Sequence, residues 1–397
     1  MIAKILNDVW IFIQIIIGYN LVVPVILFLI YTIKGKLNIP TAAKKNTPYD
    51  YAIIVTAYEQ TDSLPAVVDS ILKLNYDNYT IYIVADKCDV SGLNFNDARV
   101  VILRPPETLA SNTRSHFYAI RNFNRPHDIL TIIDSDNLVD PEYINELNKY
   151  FDAGYTAVQG IRKAKNLDTT FACLDASRDI YYHFYDGEVL FNLGSSATLA
   201  GSGMAFKTSL YCECLEHKDI TGAGFDKVLQ MEIVSRGYRI AFSDQAIVYD
   251  EKTTKSDQLV KQRARWINTW FRYFGFGFSL ISAGILKASF NGLLFGITLL
   301  RPPLFIFLIL SLFFLFINIW ISKIAFLIWL FAFGCFIAGF LIAIVHARPD
   351  KRIVRSLLSI PLFVFYQVLS LMHIRKANKL SVATNHFSGK TINDLKK

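Results

Sequence analysis

Ile129-Leu130-Thr131-Ile132-Ile133-Asp134-Ser135-Asp136 is an apolar, largely β-branched run that ends in two carboxylates one residue apart. Such a run reads as a buried strand that delivers acids to the carboxyl edge of a sheet, where open α/β sheets place their ligands. Two carboxylates at this spacing suit a hard divalent cation, Mg²⁺ or Mn²⁺, which proteins hold through one or two side-chain oxygens plus substrate phosphates. The competing reading is a polar turn that caps the next helix, with Asp140-Pro141 at its start. The pair alone does not choose between them.

Outward from this run, short apolar segments alternate with helical ones between Tyr51 and about Asp250. Residues 51–55, 80–84, 100–103 and 155–158 read as strands, and 64–74, 115–123 and 141–151 as helices. This alternation predicts an α/β domain with a mainly parallel sheet covered on both faces. The second strand also ends in acid, Asp86, with Asp89 just beyond. Two neighbouring strands then present carboxylates at one edge.

The chain has 397 residues, 53% hydrophobic and 19% charged, too apolar for an ordinary soluble domain and too charged to lie in a membrane throughout. The expected division is an anchor and basic linker over 1–45, the α/β domain over 46–257, interfacial amphipathic helices over 258–298, a transmembrane hairpin over 299–346, and a further helix with a basic tail over 347–397. Residues 10–33 are nearly uncharged and long enough to cross about 30 Å of hydrocarbon. Lys34, Lys36, Lys44 and Lys45 follow this stretch while Lys4 precedes it, which predicts a cytoplasmic α/β domain. Residues 299–320 and 324–345 read as a spanning hairpin, and the basic residues from His346 to Arg355 bring the chain back to the same side. The apolar stretch 357–372 is interrupted by Pro361 and Gln367 and followed by Arg375, Lys376 and Lys379, so it reads as a helix in the inner interface. Arg301, beside Pro302-Pro303, reads as snorkelling to lipid phosphates. The net charge of +8 sits largely beside apolar segments, which points to anionic membrane lipids and away from nucleic acid. Five cysteines without C-x-x-C spacing indicate neither a zinc site nor a disulfide framework.

Three more segments carry candidate chemistry. Residues 169–193 include Tyr181, Tyr182, Phe184, Tyr185 and Phe191, rings that suit a core or a sugar-binding face, and the glycines of Gly201-Ser202-Gly203-Met204 allow backbone to approach a ligand. Asp226, after Gly224-Phe225, is either the N-cap of a helix through Ser235 or a base. Between 258 and 278, Lys261, Arg263, Arg265 and Arg272 interleave with Trp266, Trp270, Phe271, Tyr273 and Phe274, a mixture suited to the headgroup region.

Taken together, Val55-Thr56-Ala57-Tyr58-Glu59, Asp86, Asp134-Ser135-Asp136, Gly201-Ser202-Gly203-Met204, Asp226 and Gln262-Arg263-Ala264-Arg265-Trp266 resemble the membrane-bound family 2 glycosyltransferases, the group that includes cellulose and hyaluronan synthases. The last pentapeptide fits the family's Q-x-x-R-W pattern. The resemblance implies a GT-A fold, Rossmann-like, a nucleotide-sugar donor that is usually UDP-linked, and inversion at the anomeric carbon. By matching position, Tyr58, Asp86, Arg114, Asp134, Gln262 and Arg265 would face the donor, with Asp86 at its base and Gln262 and Arg265 at its diphosphate. Asp136, with Asp134, would hold the Mg²⁺ or Mn²⁺. Asp226 would take the acceptor proton, and Trp266, Gly203 and Met204 would face the acceptor. Departures from the family pattern lie at Phe225-Asp226, which lacks the usual neighbouring acid, and at Asp86-Lys87-Cys88-Asp89, which lacks the D-D-G-S form.

The resemblance implies a bacterial inner-membrane enzyme acting on a carbohydrate or polyprenyl-linked acceptor. Three spanning helices give little wall for a channel within one protomer, which favours single transfer or a homo-oligomer. The alternatives are a processive polysaccharide synthase and a non-catalytic nucleotide-sugar-binding membrane protein.

Overall fold

The computed structural model describes residues 2–39, 48–372 and 389–395; Lys44, Lys45, Arg375, Lys376 and Lys379 lie outside them. The chain opens with the long helix α1 (Ile2–Lys34). The first half of the α/β domain then runs β1 (Tyr51–Tyr58), α2 (Leu64–Leu72), β2 (Tyr79–Asp86), β3 (Val100–Leu103), α3 (Asn112–Arg121), β4 (Ile129–Asp134), β5 (Leu138–Val139) and α4 (Tyr143–Asp152). Its second half runs β6 (Ala157–Ala164), α5 (Thr170–Tyr182), a π-helical segment (His183–Val189), α6 (Leu190–Asn192), β7 (Met204–Lys207), α7 (Thr208–Leu215), α8 (Phe225–Ser235) and β8 (Ile240–Asp250). The strands expected at 51–55, 80–84, 100–103 and up to Asp134 are all present; those at 51–55, 80–84 and 129–133 are buried on both faces, as interior parallel strands require, and the edge strand at 100–103 is half-buried.

All eight strands form one sheet in the order β3-β2-β1-β4-β7-β6-β8-β5. The sheet is mixed: β1 pairs parallel with β2 and β4, β2 with β3 and β6 with β8, while β7 and β5 run antiparallel to their neighbours. From β1 the chain moves outward to β2 and β3, then returns to place β4 on the other side of β1, which creates a topological switch point. Register fixes what sits there. Tyr58 is level with Asp86 and Thr56 with Asp134, so both strand-ending acids flank β1 at one edge.

Three amphipathic or apolar helices follow: α9 (Ser256–Tyr273), α10 (Gly275–Leu286) and α11 (Phe290–Leu300). A helical hairpin, α12 (Leu304–Ile321) and α13 (Lys323–Ala347), leads to α14 (Lys351–Ser356), α15 (Ile360–Leu371) and the short α16 (Ile392–Leu395). Among the described residues, four helical stretches are long and apolar enough to cross a membrane: Lys4–Lys34, Leu304–Ile321, Lys323–Ala347 and Lys351–Leu371. The last includes the stretch expected at the interface, and it buries Phe363 against Leu174 of α5 and Leu259 of α9.

Polar side chains lock the apolar helices together. Gln14 Oε1 accepts from Asn318 Nδ2 (2.7 Å) and Trp329 Nε1 (2.8 Å), which joins α1, α12 and α13 where lipid offers no alternative partner. At the C-terminal end of α1, buried Glu188 accepts from Tyr31 Oη (2.9 Å) and bonds His346 Nε2 (3.1 Å), with Lys36 3.6 Å away. The C-terminal ends of α1 and α13 therefore meet the α/β domain at one point.

Replacing Gln14 by Leu strands two buried donors, and is expected to cost about 1–2 kcal/mol. Thermal unfolding in detergent reads this as a lowered Tm; an unchanged Tm means the polar junction contributes nothing.

Candidate active site

A cavity of about 710 Å³ lies against the carboxyl edge of the sheet and extends to the start of α12. Its wall brings together Tyr58, Asp86, Asp134, Asp226, Gln262, Arg265 and Trp266, residues drawn from five separate stretches of sequence. Arg114, Asp136, Gly203 and Met204 are not on this wall.

The Asp134 turn is braced from behind. Ser202 Oγ accepts from the Asp134 amide (3.1 Å) and from Asn137 Nδ2 (2.7 Å). Buried Gln159 holds the same loop, accepting from the Ala200 amide (2.9 Å) and donating to the Ser202 carbonyl (3.1 Å). The Gly-Ser-Gly-Met segment thus supports the acids, and this corrects the expectation that Gly203 and Met204 face an acceptor. Met204 is fully buried in β7, and at Gly203, φ +65°, a Cβ would lie 3.1 Å from Val248 Cγ2; Gly201 reaches the cavity instead. Burial, then the neighbouring Asp136, pushes the Asp134 carboxyl up to about 7. Two acids that repel each other beside a cavity fit a divalent cation, which relieves the repulsion. Asp136 itself is buried behind the wall, and its main-chain oxygen accepts from Lys165 Nζ (3.0 Å). Among the described residues no three acidic, His or Cys side chains converge as a metal cage, so a cation here needs oxygens from a ligand.

Asp86 borders the cavity, but its two oxygens accept the amides of Leu109 (2.9 Å) and Ala110 (2.8 Å). It holds a loop in which Ala110 sits at φ +46°, a left-handed conformation that an alanine adopts at some cost. Arg114 points away from the cavity: it forms a two-pronged, exposed bond to Asp219 (2.9 and 2.6 Å). That pair, with Ser111 and Thr113 bonded to the Ile220 carbonyl, ties α3 to the loop that precedes Asp226.

Asp226 is in the first turn of α8, two residues after the cap position, which Gly224 occupies. The N-cap reading of Asp226 therefore does not hold. Gly224 has φ +105°, and a Cβ there would lie 2.5 Å from Tyr273 Cε2 and 2.7 Å from Thr269 Cγ2. Only glycine lets α8 start this close to α9, and Asp226 then borders the same cavity as Gln262, Arg265 and Trp266. Lys227 Nζ lies 3.1 Å from the Asp226 carboxylate.

Part of the wall rests on a buried ionic lattice that the sequence alone does not reveal. Lys252 bonds Asp250 (2.7 Å) and Asp179; Arg162 is 3.7 Å from each of these acids; Arg178 bonds Asp179 and lies 3.3 Å from Asp175; Arg263 bonds Asp175. Against the effect of burial, Lys252, Arg178 and Arg162 hold the Asp179 carboxyl well below the usual range. The guanidinium groups of Arg263 and Arg178 lie 4.1 and 4.3 Å from the Trp266 ring centre. Arg301 also departs from expectation. It turns inward to a buried ion pair with Asp186 and lies 5.5 Å from the Tyr182 ring centre, because the π-helical segment presents Asp186 to it. Of the aromatic stretch, Tyr181, Phe184, Tyr185 and Phe191 are core, and Tyr182 lines the cavity.

The family model for the glycosyltransferase-like family 2 matches residues 48–269, the whole α/β domain and most of α9. No curated protein sequence matches the chain. Among solved structures, the mannosyltransferase PcManGT from Pyrobaculum calidifontis, in complex with GDP-Man and Mn²⁺, is similar with a TM-score of 0.53 at 13% identity, over 91% of this chain and 98% of that one. S. aureus TarS matches with a TM-score of 0.42 at 13% identity, over 85% of this chain and 56% of that one.

Asp86→Ala removes the acceptor of two loop amides, with an expected cost of about 1–3 kcal/mol. Calorimetric titration with nucleoside diphosphate and Mn²⁺ should show weakened affinity in parallel; a lowered Tm with unaltered affinity would separate the loop from the donor.

Proposed function

This chain belongs to the family 2 glycosyltransferases, and from that premise we propose that it transfers a sugar, with inversion, from a nucleoside-diphosphate sugar to the hydroxyl of an acceptor presented at the membrane. The observation that carries this reading is that Asp134, Asp226 and Arg265 share one cavity wall although 131 residues separate the first from the last. The donor's diphosphate lies by Asp134 and Arg265, and a UDP-linked sugar is the form the resemblance implies. Asp134, on the cavity wall, is the residue that would hold a divalent cation, with Asp136 behind it adding negative charge rather than a ligand at the wall, and the cation when bound would neutralise charge on the diphosphate.

The acceptor oxygen attacks the anomeric carbon from the face opposite the diphosphate. The bond from that carbon to the phosphate oxygen breaks, its electron pair leaves with the nucleoside diphosphate, and the acceptor proton passes to Asp226. Arg265 faces the charge that builds on the leaving group. Burial lowers the proton affinity of its guanidinium, offset by Asp134, yet an arginine remains charged at neutral pH. Such a cation in a site poor in water stabilises the transition state more than it would in bulk solvent. Inversion needs one displacement, so no covalent nucleophile is required. The catalytic domain faces the cytoplasm, since Lys34 ends α1 and Lys36 follows it.

With purified protein, Mn²⁺ and a panel of nucleotide sugars, Asp226→Asn is expected to lower kcat about 10²–10⁴-fold while donor affinity holds. Turnover equal to wild type would remove Asp226 from the reaction. Chelation is expected to abolish turnover, with recovery on adding Mn²⁺ or Mg²⁺; full activity in chelator sinks the metal assignment.

A further inference from the structure

His183 borders the cavity and takes no part in the displacement. It opens the π-helical segment, a backbone form that proteins use rarely and often at functional sites. Among the described residues neither of its ring nitrogens has a hydrogen-bond partner, and neither is sealed in, whereas the partnerless Nε2 of His116 is enclosed in the core. The Thr198 hydroxyl, on the same wall, is likewise open and without a partner. Polar atoms that reach a cavity and find no protein partner are places for a ligand.

The backbone fixes where these groups sit. A Cβ on Gly187 would lie 2.7 Å from Phe242 Cε2, so glycine lets the π-helical segment close on that ring, and the His183 and Phe242 ring centres are 6.3 Å apart. The Thr198 amide donates to the Asp186 carbonyl (2.9 Å), which holds its loop to the segment of His183. Leu199, the next residue, gives its amide to Gln230 Oε1 (3.0 Å) and accepts from Lys227 Nζ (3.2 Å), the ammonium that also lies 3.1 Å from Asp226. One bonded chain therefore runs from the segment of His183 through Thr198 to Asp226.

Charge decides which ligand fits. Burial pushes the His183 imidazole down to about 3; the Asp179 carboxylate opposes this, and Arg162, Lys252 and Arg178 reinforce it. The neutral ring carries one N–H donor and one lone pair, the complement of a hydroxyl, and Thr198 adds a second group of the same kind. An anion finds little here. Lys252 and Arg178 already bond Asp179, Arg301 already bonds Asp186, and both acids border the cavity. A carboxylate or phosphate in this place would meet two acids and a ring that does not charge.

We propose that His183 is a substrate-binding residue of the transfer: its imidazole, with the Thr198 hydroxyl, bonds the hydroxyls of a neutral sugar on the Asp226 side of the cavity and disfavours a sugar that carries a carboxylate or phosphate there. The proposal deepens the glycosyltransfer reading and rests on it. The hydroxyls belong to the donor's sugar or to the acceptor's, and two arms of one experiment separate these. The lattice then has a second task besides joining β6, α5 and the end of β8: with burial, its cations keep an extra proton off the ring.

The test is calorimetric titration of the full chain in detergent with Mn²⁺. The donor arm uses UDP, GDP, UDP-glucose, UDP-N-acetylglucosamine, GDP-mannose and UDP-glucuronate. The acceptor arm titrates protein saturated with UDP and Mn²⁺ with methyl glucoside, methyl mannoside and glucuronate. A neutral sugar is expected to bind, and the glucuronate probe of the same arm to bind at least about tenfold more weakly; parity overturns the proposal. His183→Phe keeps a ring and removes both nitrogens. It should weaken the neutral sugar about three- to tenfold, the worth of one hydrogen bond, and leave UDP and GDP as in wild type. Loss confined to nucleotide sugars assigns His183 to the donor's sugar, and loss confined to methyl glycosides assigns it to the acceptor's. His183→Gln, an uncharged donor and acceptor, should recover most of the affinity. The ratio of wild-type to His183→Phe affinity should stay constant from about pH 8 to about pH 5.5; a ratio that collapses as pH falls through about 6.5, where a free imidazole gains its proton, overturns the neutral ring. Unchanged sugar affinity in His183→Phe, or a loss shared equally by UDP and its sugars, overturns the proposal. Should His183→Phe not fold, Thr198→Val is expected to weaken the neutral sugar about threefold, and wild-type affinity there overturns the proposal. Wild-type protein that binds no nucleotide with Mn²⁺ sinks the transfer reading, whereas protein that binds UDP or GDP and gains nothing from any sugar sinks this proposal alone.

Discussion

A buried carboxylate, Asp179, holds the cavity wall together. Lys252 and Arg178 bond it directly, Arg162 stands 3.7 Å away, and each of these cations comes from a different element. A lone charge at this depth would cost several kcal/mol, so the lattice is stable only when every member is present. It joins β6 through Arg162, α5 through Arg178, and the end of β8 through Lys252. Asp175, one turn earlier on α5, carries the connection to Arg263 on α9. The edge of the sheet and the helix bearing Gln262 to Trp266 are thus fixed to each other by charge, and the α/β domain cannot shift against α9 without separating buried ions.

The parts of this arrangement legible in the sequence are those that local patterns encode. Ile129 to Ile133 reads as a strand because its residues need burial on both faces, and acids that end such strands fall at a predictable edge. Arg162, Asp179, Asp186 and Lys252 escape this logic. In sequence each resembles a surface charge, and each is buried because of a partner far along the chain, 73 residues away for Lys252 and Asp179 and 115 for Arg301 and Asp186. Arg301 illustrates the failure: its apolar neighbours suggest snorkelling, and nothing local announces that a π-helical segment will offer it Asp186. The polar interruptions within Ile240–Asp250 likewise hide β8, whose pairing with β6 supplies the regularity that its composition lacks.

The apolar helices follow the same principle with fewer charges. Helix association in lipid gains little from hydrophobic burial, since lipid chains solvate leucine as well as protein does. Specific junctions must supply the geometry. Gln14 does so near the middle of α1, and Glu188 does so at its C-terminal end. Because Glu188 and Asp186 lie in the same π-helical segment, one stretch of backbone holds α13 through His346 and the start of the hairpin through Arg301. The position of the membrane helices is thereby transmitted to the cavity wall.

Two arginines on α9 show how this framework assigns different work to like residues. Arg263 and Arg265 are two positions apart, so about 200° of helix rotation separates them. Arg263 faces Asp175 and Trp266 and is 3% exposed; its charge is consumed in holding α9 to α5. Arg265 engages no carboxylate at ion-pair distance among the described residues, and the charge that acts on it is that of Asp134 across the cavity. A cation already locked to an acid has little left to offer a leaving group. The lattice keeps α9 in place through Arg263, which leaves Arg265 aimed at the same space as the Asp134 carboxylate.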